Sequence, residues 1–124
     1  MVKNNKYVFI IDNSFVSANL LFNSLCQNSR ILLIGFSKNG KDALREIAKN
    51  PPDLVVLDLN LPDMKGMDLL RKIKARHKKS LVIILSNTTT TDIREEYEKS
   101  GADGFYNKSA EFKDAIKKIN LLLT

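Results

Sequence analysis

Two kinds of segment alternate along the chain. Short, unbroken apolar runs end abruptly at a polar residue or a glycine, and longer stretches between them repeat apolar residues every three or four positions. The first pattern predicts strands buried on both faces, and the second predicts amphipathic helices lying on a sheet. The most sharply bounded run is residues 54–57, held between Pro51-Pro52 and Pro62 and ending at Asp58. So short a run between prolines is not a helix. It predicts a strand inside a parallel sheet, with an acid at its carboxyl end.

The same reasoning divides the rest of the chain. Residues 7–11 form a strand ending at Asp12, followed by Asn13 and Ser14, which suit a helix N-cap. A helix from Phe15 is expected to turn Phe15, Ala18, Phe22, Leu25 and Cys26 inward, with Cys26 a packed thiol. Residues 31–34 form a second strand closed by Gly35, and 41–49 a helix with Ala43, Leu44, Ile47 and Ala48 inward. Asn50 precedes Pro51 and is pushed out of helical geometry, so that helix stops there. After the loop 60–65 and Gly66, a third helix carries Met67, Leu70 and Ile73 on its inner face.

A fourth strand, 81–85, ends at Ser86 and runs into a polar loop of Asn87 and four threonines. Residues 92–99 make a fourth helix with a thin stripe of Ile93 and Tyr97, and Ser100 to Gly104 is a stop and turn. Phe105 and Tyr106, the latter expected in the core, open a fifth strand ending at Asn107-Lys108. Ser109 then caps a last helix with Phe112, Ala115, Ile116, Ile119 and Leu122 inward.

Strand and helix thus alternate through the whole chain with short connections. This predicts one α/β domain over residues 1–124, a doubly wound five-stranded parallel sheet with helices on both faces. Four strand ends deliver Asp12, Asp58, Ser86 and Lys108 to one edge, the edge at which open α/β sheets bind ligands. Two acids with further oxygen donors nearby suit a hard divalent cation such as Mg²⁺. A hydroxyl and an ammonium suit a phosphoryl group. Asp58 is then a nucleophile, a metal ligand or a structural acid, and Asp12 a metal ligand or a partner of Lys108. Asn13 is a helix cap or a metal ligand.

Composition narrows the setting. Hydrophobic content of 44% and charged content of 27% are those of an ordinary globular domain. No apolar run approaches the roughly 18 residues of a membrane span, and the N-terminus lacks the apolar core of a signal peptide. Cys26 is the sole cysteine, which excludes an internal disulfide and a cysteine-based zinc site. These features point to the cytoplasm and to no membrane partner. The net charge is +6, and basic residues cluster at Arg71 to Lys79 and again at Lys113, Lys117 and Lys118. Neither cluster interleaves aromatics that would stack on bases, so a solvated basic surface is favoured over nucleic-acid binding.

The combination of I-I-D-N at the first strand, P-D-L-V-V-L-D-L-N-L-P followed by Gly66, I-I-L-S at the fourth strand and G-A-D-G-F-Y-N-K-S at the fifth resembles the receiver domain of two-component response regulators. This is the CheY-like, flavodoxin-like (βα)5 module, and the resemblance implies a sheet order of 2-1-3-4-5. It further implies that Asp58 is the phosphoacceptor, and that Mg²⁺ is held by Asp12, Asp58 and the backbone carbonyl of Asn60, with Asn13 alongside. Ser86 and Lys108 would contact the phosphoryl group, and Phe105 would be the aromatic whose rotamer follows phosphorylation.

The implied partners are a sensor histidine kinase or a phosphotransfer protein. The implied output is homodimerisation or partner binding through the fourth helix, fifth strand and fifth helix. The chain is expected to be either a stand-alone receiver or part of a longer regulator, and DNA is an expected partner only if an output domain exists outside this chain. The implied chemistry is self-phosphotransfer and autodephosphorylation rather than turnover of a substrate. Two positions depart from the family pattern. Asn13 stands where a second acid is usual, which predicts weaker Mg²⁺ binding and slower phosphorylation. Asn87 stands where a small residue is usual, which implies either narrowed access to Asp58 or a hydrogen bond to the phosphoryl group. These departures motivate the alternative of a phosphorylation-independent interaction module.

Overall fold

The computed structural model describes residues 5–124. Its elements are β1 (Lys6–Ile11), α1 (Phe15–Leu25), β2 (Ile31–Ser37), α2 (Gly40–Lys49), β3 (Leu54–Asp58), α3 (Gly66–Arg76), β4 (Leu81–Ser86), α4 (Thr91–Lys99), β5 (Gly104–Asn107) and α5 (Phe112–Leu122). The strands form one sheet in the order β2-β1-β3-β4-β5, with every neighbouring pair parallel. This is the flavodoxin-like order that the sequence implied. None of the described helices is long and apolar enough to cross a membrane.

Successive residues of a strand point to opposite faces, and here they feed two separate cores. Val8 and Ile10, Leu54 and Val56, and Ile83 and Leu85 pack under Ala18, Leu21 and Leu25 of α1 and Ala115 and Ile119 of α5. Their neighbours Phe9, Ile11, Val55, Leu57, Val82 and Ile84 pack under Ala43 and Ile47 of α2 and Leu69, Leu70 and Ile73 of α3, with Phe105 among them. Each interior strand is therefore apolar on both faces along its central run. The unbroken runs in the sequence have this cause.

Five local expectations need correction. In α1, Phe15, Phe22 and Cys26 face solvent, and the buried stripe is Ala18, Leu21 and Leu25. Apolar residues occur all round this helix, so periodicity alone does not select its inner face. Ala48 of α2 is likewise exposed, while Gly40, Ala43 and Ile47 are buried. The second strand does not close at Gly35 but continues to Ser37, pairing Gly35 with Phe9. A Cβ at Gly35 would lie 2.6 Å from Phe9 Cδ2 and 2.8 Å from the Tyr7 hydroxyl, so the glycine makes room for two rings rather than ending the strand. Finally, Ser109 does not cap the last helix: Glu111 is its N-cap. The Asn107 side-chain carbonyl accepts from Ser109 N and Ala110 N instead, holding a turn ahead of α5. Tyr106 is partly rather than fully buried, packed against the α1/α5 core.

Candidate functional site

At the carboxyl edge of the sheet the apolar strands end together. Ile11 is paired with Leu57, Asp58 with Leu85 and Ser86 with Asn107, so the polar residues that follow are brought level with one another. Asp12 and Asp58 are both buried. Lys108 Nζ lies 3.0 Å from Asp12 Oδ2 and 3.0 Å from Asp58 Oδ2, bridging the two acids. The remaining oxygens are held by backbone donors: Ser14 N donates to Asp12 Oδ1 at 2.8 Å, and Asn60 N to Asp58 Oδ1 at 3.3 Å. Both carboxylates are thus oriented from two directions, which an isolated surface acid would not be.

The electrostatics differ between the partners. Burial pushes the Asp58 carboxyl above the ordinary aspartate value and the nearby Asp12 charge adds to this, while Lys108 and the Asn60 N–H pull the other way without overcoming it. For Lys108, burial opposes the charged form, but the hydrogen bonds and charges of Asp12 and Asp58 outweigh it and hold the ammonium above its ordinary value. The lysine is therefore firmly cationic, and two acids share its charge.

Ser86 is also buried, but its hydroxyl is engaged with its own loop. It accepts from Thr88 N at 3.0 Å and donates to Thr88 O at 3.1 Å. Asp58, Asn60 and Asn87 line two clefts at once. One, of about 450 Å³, is completed by Asn13, Lys108 and α1 residues including Val16 and Leu20. The other, of about 540 Å³, is completed by Ser86, Thr88 and residues of α3 and α4 including Tyr97. Asn13 is exposed at the first cleft and does not cap α1, because Ser14 Oγ accepts from Ser17 N and fills that role. Asn87 is an exposed part of the lining of both clefts.

All the donors available to a metal are oxygens: two carboxylates, the Asn13 amide and the Asn60 backbone. That set fits a hard divalent cation. Among the described residues no three His, Cys, Asp or Glu side chains converge, so the acidic charge is that of Asp12 and Asp58 alone.

Beyond the carboxyl edge, sequence reasoning did not reveal a network around Phe105. Its ring is 1% exposed, tilted at 52° to Tyr97 with centroids 5.6 Å apart, and the Arg94 guanidinium lies 5.4 Å from its centroid. Arg94 also donates to the Phe105 carbonyl and to Glu111 Oε1, the latter at 2.9 Å. The same Glu111 oxygen accepts from Asn107 N at 2.8 Å, and Asn107 Nδ2 donates to Thr89 Oγ1 at 3.2 Å. The β4–α4 loop, α4, β5 and α5 are stitched together directly beside Lys108. Residues 94, 105 and 111 meet only through the fold, so no local motif marks them.

A second missed residue is Asp63 in the loop after β3. Its carboxylate accepts from Gly40 N at 2.8 Å and Lys41 N at 2.9 Å, the first amides of α2. Desolvation opposes ionisation, but these donors outweigh it and hold the carboxyl below its ordinary value. The contact anchors the loop that carries Asn60.

A doubly wound sheet with two acids, a hydroxyl and a lysine on its carboxyl edge defines a class of signalling module. The chain belongs to the response regulator receiver domain family, which it matches over residues 8–120. It is 34% identical over 82 residues to a protein-glutamate methylesterase/protein-glutamine glutaminase of Geobacillus kaustophilus, covering 66% of this chain and 24% of that protein. It is 34% identical over 106 residues to a protein of the same name from Koribacter versatilis, covering 84% of this chain and 29% of that one. The chain spans about a quarter of the length of these relatives. Among solved structures, the receiver domain of the Francisella response regulator 1452 superposes with a TM-score of 0.85 at 28% identity, covering 96% of this chain and 97% of that one.

Proposed function

We propose that Asp58 accepts a phosphoryl group from a phosphohistidine of a sensor histidine kinase or a phosphotransfer protein, and that the domain thereby switches an output surface. The observation that carries this reading is the geometry at Asp58: a buried acid at the mouth of two clefts, 3.0 Å from a lysine whose ammonium it shares with Asp12. A carboxylate oxygen of Asp58 attacks phosphorus, the P–N bond to the donor breaks, and the imidazole keeps the bonding pair and takes up a proton. Lys108 neutralises charge on the transferred oxygens. Asp12, Asp58, the Asn60 carbonyl and Asn13 would hold Mg²⁺, which when bound supplies positive charge to the phosphoryl oxygens and lowers repulsion between donor and acceptor.

The response begins at Ser86. To hydrogen-bond a phosphoryl oxygen its hydroxyl gives up its donation to Thr88 O, which releases the β4–α4 loop toward Asp58. Thr89 of that loop accepts from Asn107, so the movement reaches Phe105, Arg94 and Glu111. The α4–β5–α5 face is then the output surface, toward an attached output domain, a separate protein partner or a second copy. We place this chemistry in the cytoplasm, where phosphohistidine donors are made.

The test is incubation with Mg²⁺ and acetyl phosphate or phosphoramidate, followed by intact mass. One added phosphoryl mass is expected, and none on Asp58→Asn. A folded wild-type chain that gains no mass overturns the proposal, and a mass that persists on Asp58→Asn relocates the acceptor. Asn13→Asp supplies a second acid beside Asp12 and is expected to tighten Mg²⁺ binding about tenfold, read by calorimetric titration of the chain without a phosphodonor.

A further inference from the structure

The flank of the sheet opposite β5 carries an unusual surface. Between Asn13 and Ser37 the sequence has a single charged residue, Arg30. This stretch is α1 and β2, and β2 is an edge strand seven residues long whose outer backbone pairs with no strand among the described residues. Proteins commonly guard such an edge with lysine, proline, a bulge or a covering loop, and here the register against β1 shifts between Lys6 and Tyr7, leaving Leu32 opposite no residue, while β2 pairs regularly from Leu33 to Ser37. Here β2 reads I-L-L-I-G-F-S, with Leu32 74% and Leu33 51% exposed.

Phe36 of the same strand meets Phe15 of α1 edge to face, ring centroids 6.4 Å apart. Those two and Phe22 line a groove of about 250 Å³ between helix and strand. At roughly 150–250 Å² per large side chain, the exposed fractions of Phe15, Phe22, Leu32, Leu33 and Phe36 leave about 500 Å² of apolar surface open. That is at the upper end of what a soluble monomer exposes. With the open strand backbone and the uncharged Asn19 and Asn23 of α1, it approaches the roughly 800 Å² per partner of a stable interface.

We propose that the chain forms a homodimer by antiparallel pairing of β2 with β2 of a second copy, extending the two sheets into one. Charge selects this occupant. A second copy brings the same +6 net charge, so self-association is least opposed where both surfaces are uncharged. The pairing is self-complementary and closes after two copies, as a two-fold contact must. A two-fold axis perpendicular to the sheet keeps like faces together, so the α1 groove of each copy is brought toward its counterpart. Val16 and Leu20 lie on the side of α1 that lines the Asp58 cleft, and the dimer leaves them and the α4–β5–α5 face open.

Sedimentation of the full chain over a concentration series from about 1 µM to about 500 µM tests this, a range that captures micromolar association. The wild type is expected to convert from monomer to dimer. Leu33→Lys and, separately, Leu32→Lys should weaken that association at least tenfold with an unchanged circular dichroism spectrum, and Lys113→Glu on α5 should leave it intact. Amides of residues 31–37 in the wild type should gain hydrogen-exchange protection with concentration, which needs no variant to fold. A wild type that stays monomeric throughout overturns the proposal. So does open-ended association, or a dimer broken by Lys113→Glu and indifferent to both leucine substitutions.

Discussion

The two flanks of the sheet expose aromatic and aliphatic groups in opposite ways. On the α1–β2 flank, Phe15 is 66% exposed and its neighbours offer no charge, so the surface is held by apolar contact alone. On the α4–β5–α5 flank, Phe105 is buried and every element around it is tied by Arg94, Glu111 or Asn107. α4 has no fully buried residue of its own. Its attachment depends on Ile93, Tyr97 and this polar network rather than on a deep apolar stripe. A helix held by a few directional bonds can move when one is exchanged, whereas a helix seated on Ala18, Leu21 and Leu25 cannot without opening the core. The difference separates a flank suited to switching from one suited to static contact.

The largest break in that contrast comes from Phe105→Ala, which should cost about 3–5 kcal/mol in urea unfolding because it empties a packed site. Phe15→Ala should stay within about 0.5 kcal/mol of wild type. Equal costs for the two would erase the distinction. Next, Ser86→Ala removes both hydrogen bonds to Thr88 and is expected to cost about 1 kcal/mol, with faster amide exchange in the β4–α4 loop. Arg94→Ala should cost about 1 kcal/mol or somewhat less, since the Arg94–Glu111 pair is about a third exposed and screened by solvent. Its sharper signature is faster exchange at Asn107 N, whose acceptor Glu111 loses its other partner.

The smallest effect is on pH. The Asn107 N–H first, then Arg94, hold the Glu111 carboxyl below its ordinary value. A depressed folded pKa stabilises above the unfolded value and is lost as pH falls through the folded one. The α4–β5–α5 tie should therefore be intact at neutral pH and loosen only below the ordinary glutamate range. An NMR titration of the Asn107 amide should show this in the wild type and not in Glu111→Gln.

Most of the fold was legible because the sheet is buried on both faces, which forces unbroken apolar runs whose ends are visible. The residues brought to the carboxyl edge followed from those ends. What escaped was everything set by contacts across the fold. The inner face of α1 could not be read from a helix with apolar residues on all sides and no charge to mark solvent. Gly35 looked like a terminator because its role lies in the rings of Tyr7 and Phe9, far away in sequence. Ser109 resembled a helix cap, yet the Asn107 side chain takes up its amide. The Lys108 bridge to Asp12 was among the readings left open, and the geometry adds that the same ammonium serves Asp58. The hold of Thr88 on the Ser86 hydroxyl is a matter of rotamer, which no spacing encodes.

The alternation of strand side chains has one more consequence. Asp12, Asp58 and Lys108 continue the positions that feed the α1/α5 core, whereas Ser86 and Phe105 continue those that feed the core beneath α2 and α3. The sheet is thus a partition between two interiors, and the clefts above them share Asp58, Asn60 and Asn87. A group attached at Asp58 stands in the doorway between two rooms. Lys108 reaches Asp58 from one cleft, and Ser86 lines the other.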